Sequence, residues 1–210
     1  MTHSDDQGLV LPPRLAPNQV VIVPIYRANR EDDKAAVLEA VERVARELRV
    51  AGVRVKVDAR EEHRPGWKFN EYEVQGVPLR LAIGPRDVQN GVAEVVRRDQ
   101  GGKESVPLDT LTGTVTSLLD QIQRGLFNAA KSRQDQHTHR VDSYADFQAA
   151  LDAGGFVLAH WDGTPETEAR IKEETKATIR VVPFEREGGT GEDLLTGRPS
   201  EGRVLFARSY

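Results

Sequence analysis

Arg60, Arg64 and Lys68 alternate with Trp67, Phe69 and Tyr72 in one short stretch, and Arg86, Arg97, Arg98 and Lys103 follow downstream. Guanidinium groups suit phosphates and base edges, and aromatic faces suit splayed bases, so this mixture has the chemistry of single-stranded RNA recognition. Glu62, Glu71, Asp87, Glu94 and Asp99 dilute the positive charge. The same aromatics beside a sheet equally suit a packed core. His137 and His139 sit together, but with no third ligand nearby they read as solvated polar residues rather than a metal pair. There is no cysteine, which excludes disulfides, thiolate catalysis and cysteine-based zinc or iron–sulfur sites. No phosphate-binding P-loop, Gly-x-Gly-x-x-Gly, nucleophile elbow or His-Glu-x-x-His is present.

The chain has 210 residues, enough for two small domains, and a net charge of −4. That charge argues against a protein that wraps duplex DNA, while leaving room for a local RNA-binding patch. No apolar run approaches the roughly 18 residues of a membrane helix, and the acidic start Met-Thr-His-Ser-Asp-Asp is unlike a signal peptide. A cytoplasmic protein with no membrane partner is the expectation.

The elements that must position these residues begin with Gln19–Ile25, an apolar, β-branched run closed by proline and read as a buried strand. Residues 1–17, with Pro12, Pro13 and Pro17, read as a loop. Val37, Leu38, Val41, Val44, Ala45 and Leu48 recur at helical spacing, from a start at Asp32 or Asp33 to a stop at Gly52. Val53, Val55 and Val57 then alternate with charged residues as a strand. Strand, helix, strand implies a parallel pair with a right-handed crossover.

A loop leads into a short helix over Pro65–Gln75, followed by strands at Val77–Gly84 and Val92–Arg98 joined by an Asn90-Gly91 turn. After a polar turn at 99–103, a long helix runs from near Asp109 through Leu126. Residues 131–140 lack any apolar side chain and read as a connector, which can extend that helix. Beyond it the pattern is helix (143–153), strand (155–160), helix (165–176), strand (177–184) and strand (203–207). The fold class is α/β: a mixed sheet flanked by helices, followed by a small α/β domain.

The residues then point to a family. His3-Ser-Asp-Asp-Gln-Gly-Leu-Val-Leu-Pro-Pro-Arg-Leu-Ala-Pro17 resembles the end of the catalytic domain of prolyl-tRNA synthetases, where the third class II signature motif carries its arginine. Gln19–Ile25 resembles the first strand of their anticodon-binding domain. Ile171-Lys-Glu-Glu-Thr175, Thr196-Gly-Arg-Pro-Ser200 and the ending through Tyr210 resemble the C-terminal domain of the archaeal and eukaryote-like branch. The resemblance implies a catalytic remnant at 1–17, an anticodon-binding domain at 18–130, a connector at 131–140 and a C-terminal domain at 141–210.

For function, the resemblance implies a ligase that attaches proline to its tRNA using ATP, with proline tRNA as partner and a homodimer as the working form. Arg14, with His3 in the same motif, is placed at the ATP. Arg60, Lys68, Glu71, Asp87, Arg97 and Arg98 are placed at the anticodon, since arginines and carboxylates together match the Watson–Crick edge of guanine. Nothing corresponds to the first two class II motifs, so this chain by itself is expected not to activate proline or hold ATP. A stand-alone, non-catalytic RNA-binding or interaction protein derived from such a domain is the alternative. Four cysteines often hold a structural zinc in this branch, and the matching positions are Asp162, Thr167, Asp193 and Thr196. The expectation is that the zinc is lost.

Overall fold

The computed structural model describes residues 3–27, 30–185 and 188–208. Tyr210, the family-like terminus, lies outside them. The chain divides into two compact units, Met1–Asn128 and Ala129–Tyr210.

The first unit opens with a two-stranded hairpin, β1 (Ser4–Asp5) and β2 (Gly8–Leu9). There follow β3 (Val20–Pro24), α1 (Glu31–Val50), β4 (Val55–Val57), α2 (Pro65–Val74), β5 (Leu79–Ile83), α3 (Pro85–Asn90), β6 (Val92–Arg97), β7 (Gly101–Pro107) and α4 (Leu108–Gln136). The main sheet runs β4-β3-β5-β6-β7. β3 pairs in parallel with both β4 and β5, while β5, β6 and β7 are antiparallel. This is the mixed sheet that the strand–helix–strand periodicity predicts.

Alternation sorts the strands into two faces. Val20, Ile22, Leu79, Leu81, Ile83, Ala93, Val95 and Val106 face the apolar stripes of α1 and α4 and form the main core. On the other face Val21 and Val23 pack with Tyr72 and Val77, and Phe69 closes that cluster from α2.

The lead-in is no free loop. Asp5 accepts two hydrogen bonds from Arg98 at 2.9 and 2.6 Å, and Arg54 donates to the carbonyls of Pro13 and Ala16 at 2.7 and 3.0 Å. Gly8, at φ +132°, lies so close to the end of α2 that a Cβ there would stand 2.6 Å from the Val74 Cα. Gly76, at φ +70°, meets Leu9 just as closely. The prolines that rule out a helix or strand thus leave a segment ordered by side chains and close packing.

Two further differences concern local signals. Pro85–Asn90 is a helical turn and a half rather than a plain turn, because Gly91 adopts the left-handed conformation that ends a helix. Gly101–Pro107, expected as a polar turn at its start, is a full strand on β6, mostly exposed and held by the backbone ladder.

The second unit contains β8 (Thr138–Arg140), α5 (Tyr144–Ala153), β9 (Phe156–His160), α6 (Pro165–Thr175), β10 (Ala177–Val181), β11 (Gly191–Glu192), β12 (Pro199–Ser200) and β13 (Arg203–Arg208). Its sheet runs β10-β13-β9-β8, with Phe147, Leu151, Val157, Ile171, Val204 and Phe206 at the core. At 131–140 the preceding helix is extended, as the polar composition allows, and a strand that the sequence does not signal follows it. The helix runs through Gln136, and the edge strand is β8, whose pairing with β9 uses backbone groups and needs no apolar side chain.

Candidate nucleic-acid interface

The basic residues after β4 converge on one buried carboxylate. Asp58, its side chain 1 % exposed, receives the Arg60 guanidinium in a fork at 2.9 and 2.7 Å and the Tyr72 hydroxyl at 3.0 Å. Burial works to raise the Asp58 pKa, but Arg60, Tyr72 and the nearby Lys68 ammonium outweigh it and hold the group well below the ordinary carboxylate range. Tyr72 is pushed up to about 12, first by burial and then by its bond to Asp58. Arg60 also bonds Glu71.

Lys68 is 4 % exposed at its side chain and donates to the backbone carbonyls of Asp58 and Arg60. Its ammonium therefore orders the loop after β4 rather than facing solvent. Arg60, Lys68 and Glu71 are brought together, but as the inner frame of that loop. On its outer side Trp67 is exposed, stacked on His63 with ring centroids 3.8 Å apart, and Arg60 lies 5.5 Å from the Trp67 ring.

The other three expected anticodon residues lie apart from this group. Asp87 accepts the N–H of Gly84 at 2.7 Å and closes the first turn of α3. Arg97 forks onto Asp99 at 3.0 and 2.8 Å. Arg98, 5 % exposed, is shared between Asp5 and the Glu73 carbonyl. Arg14 is exposed, with its backbone N–H on Gln123 at 3.0 Å, and His3 is exposed, its carbonyl accepting the Val10 N–H at 2.9 Å.

Three residues outside the expected anticodon set, Phe69, Arg80 and Glu94, form a second constellation. On the face of the sheet that carries α2, the Arg80 guanidinium carbon lies over Phe69, 3.7 Å from the ring centroid. Arg80 reaches Glu94 at 3.4 Å, and Lys103 reaches the same carboxylate at 3.1 Å. Glu94 and Val96 are half-buried, Glu73 is exposed, and a shallow depression of about 80 Å³ opens among Phe69, Glu73, Arg80, Val96 and Arg97. Arg80 over an aromatic ring, with Glu73 lining the depression and Glu94 beside the Arg80 guanidinium, can hold a planar base that offers both donors and acceptors. The only signal in the sequence is an arginine amid the apolar run of β5, and its face is fixed by pairing register: Arg80 opposite Val96, Ala82 opposite Glu94.

A second concavity lies at the carboxyl ends of the neighbouring parallel strands β3 and β5, where the chain leaves the sheet toward α1 and α3. It measures about 640 Å³ and is lined by Tyr26, Arg27, Arg30, Arg86 and Asp87, with Arg30 paired to Asp33 at 3.5 Å. Three arginines there favour a phosphate-bearing chain.

The four positions matched to zinc ligands also come together, in the second unit. Thr167 donates its hydroxyl to Asp162 at 2.8 Å, and the Thr196 hydroxyl sits between Asp193 at 2.9 Å and Asp162 at 3.3 Å. Burial works to raise the Asp162 pKa, but the N–H and hydroxyl of Thr164 and the hydroxyls of Thr167 and Thr196 hold it below the ordinary range. Among the described residues, no group of three or more histidines, cysteines or carboxylates is arranged to hold a metal ion, and no helix is long and apolar enough to cross a membrane.

Residues 19–118 match the family model described as anticodon binding domain, and residues 144–210 match the model described as prolyl-tRNA synthetase, C-terminal. Over its whole length the chain is 56% identical to a proline–tRNA ligase of Salinibacter ruber, 55% to one of Christiangramia forsetii and 53% to one of Porphyromonas gingivalis. It spans 43%, 42% and 42% of those relatives' lengths.

Proposed function

We propose a function for a chain that belongs to the prolyl-tRNA synthetases and carries their anticodon-binding and C-terminal domains: it selects proline tRNA by its anticodon on behalf of a proline–tRNA ligase. The observation that carries this reading is the Phe69–Arg80–Glu94 constellation on the partly covered sheet face. Arg80 and Lys103 supply donors, Glu73 and Glu94 supply acceptors, and Phe69 backs the Arg80 guanidinium, which together suit guanine.

The crevice with Arg27, Arg30 and Arg86 serves the ribose-phosphate backbone in this reading, so affinity comes largely from one concavity and base discrimination from the other. Arg60, Lys68, Glu71, Arg97 and Arg98 act behind these surfaces, holding the loop after β4 and the β6–β7 hairpin in shape. Arg14, exposed on an ordered backbone, is the residue of this chain that would meet ATP phosphates in a complete ligase.

Filter-binding titration with a proline tRNA transcript, beside the same transcript with its anticodon guanines replaced, tests the reading. The expected result is tighter binding of the unaltered tRNA, with the difference abolished in Arg80→Ala. Equal affinity for both transcripts in the unmodified chain would overturn it.

A further inference from the structure

The cluster around Asp162 joins three pieces of the second unit that are far apart in sequence. Asp162 lies in the loop after β9, Thr164 caps α6 with Thr167 in its first turn, and Asp193 and Thr196 lie between β11 and β12. Oδ1 of Asp162 accepts the Thr164 N–H at 3.0 Å and the Thr164 hydroxyl at 2.8 Å, while Oδ2 accepts the hydroxyls of Thr167 and Thr196. Oδ1 of Asp193 accepts the N–H groups of Leu195 and Thr196 at 2.9 and 2.8 Å, and its Oδ2 accepts the Asp162 N–H at 3.2 Å. The Asp162 side chain is 2 % exposed, with the Arg198 guanidinium 3.6 Å away at its rim.

These residues do not fit a structural zinc. Such centres use thiolate and imidazole ligands, and this set is two carboxylates and two hydroxyls. Moreover, each carboxylate oxygen already accepts a hydrogen from an N–H or O–H aimed at it, so a cation entering the cluster would meet those hydrogens and displace them. Among the described residues no buried side-chain polar atom is left without a partner, so no ligand atom waits for a metal.

We propose that Asp162, Thr164, Thr167, Asp193 and Thr196 form a metal-independent clasp that fastens the same three segments a zinc ion would fasten. Asp162 is its hub, because it lies in one segment and bonds to both of the others. A hydrogen-bonded hub of this kind works only when every acceptor is filled, which is why the hydroxyls must accompany the carboxylates.

The purified chain, assayed for zinc by atomic emission and melted with and without a strong chelator, is expected to hold no stoichiometric zinc and to melt unchanged. In a Trp67→Phe background, where Trp161 is the remaining tryptophan, Asp162→Asn and Thr167→Val are each expected to lower the midpoint of the 129–210 unit by about 5 °C, followed by tryptophan fluorescence. Thr167→Ser, which keeps the hydroxyl, is expected to melt close to the parent. As a positive arm, the quadruple replacement Asp162→Cys, Thr167→Cys, Asp193→Cys and Thr196→Cys is expected to take up one zinc and to become chelator-sensitive. A stoichiometric metal in the parent chain, a chelator-induced drop in its midpoint, or equal melting of Thr167→Val and Thr167→Ser would overturn the clasp. Failure of the quadruple variant to take up zinc would overturn its equivalence to a metal centre.

Discussion

Arg80 lies over the Phe69 ring, its guanidinium carbon 3.7 Å from the ring centroid, while its Nη1 donates to Glu94 at 3.4 Å. The aromatic face and the carboxylate together hold the cation in place, so it presents its remaining donors in one direction. Phe69→Ala should therefore weaken binding of proline tRNA by about 0.5–2 kcal/mol, or roughly two- to thirtyfold, measured by filter retention. Arg80→Lys keeps the charge and loses the planar fork, so it should lose anticodon preference with a smaller loss of total affinity. An Arg80→Lys protein that discriminates as well as the parent would remove Arg80 from base readout.

The arginines of the carboxyl-end crevice should behave differently. Removing Arg27 and Arg86 together is expected to weaken all tRNAs alike and to flatten the salt dependence of binding, by about 0.7 in log–log slope for each single-strand phosphate that is no longer neutralised. Titrations at several salt concentrations read this directly. A changed anticodon preference with an unchanged slope would assign these arginines to bases instead.

Asp58 gives the first unit a predictable acid limb. Its folded pKa is depressed, so it adds stability at pH values above its ordinary carboxylate pKa, near 3.9, and that stability is lost as pH falls through the lower folded value. Asp58→Asn should lower stability near neutral pH by about 1–3 kcal/mol, since it removes the buried charge on which Arg60, Lys68 and Tyr72 converge. It should also flatten the dependence on pH below about 4. Denaturant melts of parent and variant at pH 7 and pH 3 test both statements, and parallel pH profiles would contradict the second.

Docking of the lead-in should be separable from the core. Gly8→Ala places a methyl against the Val74 backbone and is expected to release residues 3–11, exposing the Leu11 amide that bonds the Gly76 carbonyl at 3.3 Å. Hydrogen exchange should quicken at Val10 and Leu11 and stay slow at Val21 and Ile22. Uniform acceleration across β3 would mean that the lead-in is part of the core's cooperative unit.

Much of the framework is legible in the sequence because it follows from periodicity. β3, α1 and β4 display the buried run, the helical stripe and the alternation that a parallel strand pair with a covering helix requires. β7 is not legible: Gly101, Gly102, Lys103, Glu104 and Ser105 carry no apolar pattern, and only the ladder to β6 makes them a strand. Asn90-Gly91 is ambiguous by nature, since a glycine at positive φ serves a hairpin and a helix end equally well.

The candidate site divides the same way. Basic and aromatic composition locates the region, but nothing in the residue order tells that Lys68 folds back onto the carbonyls of Asp58 and Arg60, or that Arg98 is held by Asp5. Arg80 is the converse case, hidden in a strand yet turned to the open face by register. At the clasp, resemblance alone marks four scattered positions, and only the hydrogen bonds make them a unit.

The mutual fit of Gly8 and Gly76 has an evolutionary corollary. Each glycine touches the strand or helix end that bears the other, with less than a methyl group's clearance on both sides. Neither position can drift alone. Descendants that keep this docking must keep hydrogen at both sites, and lineages that abandon one are free to lose the other, so the two should vary as a coupled pair.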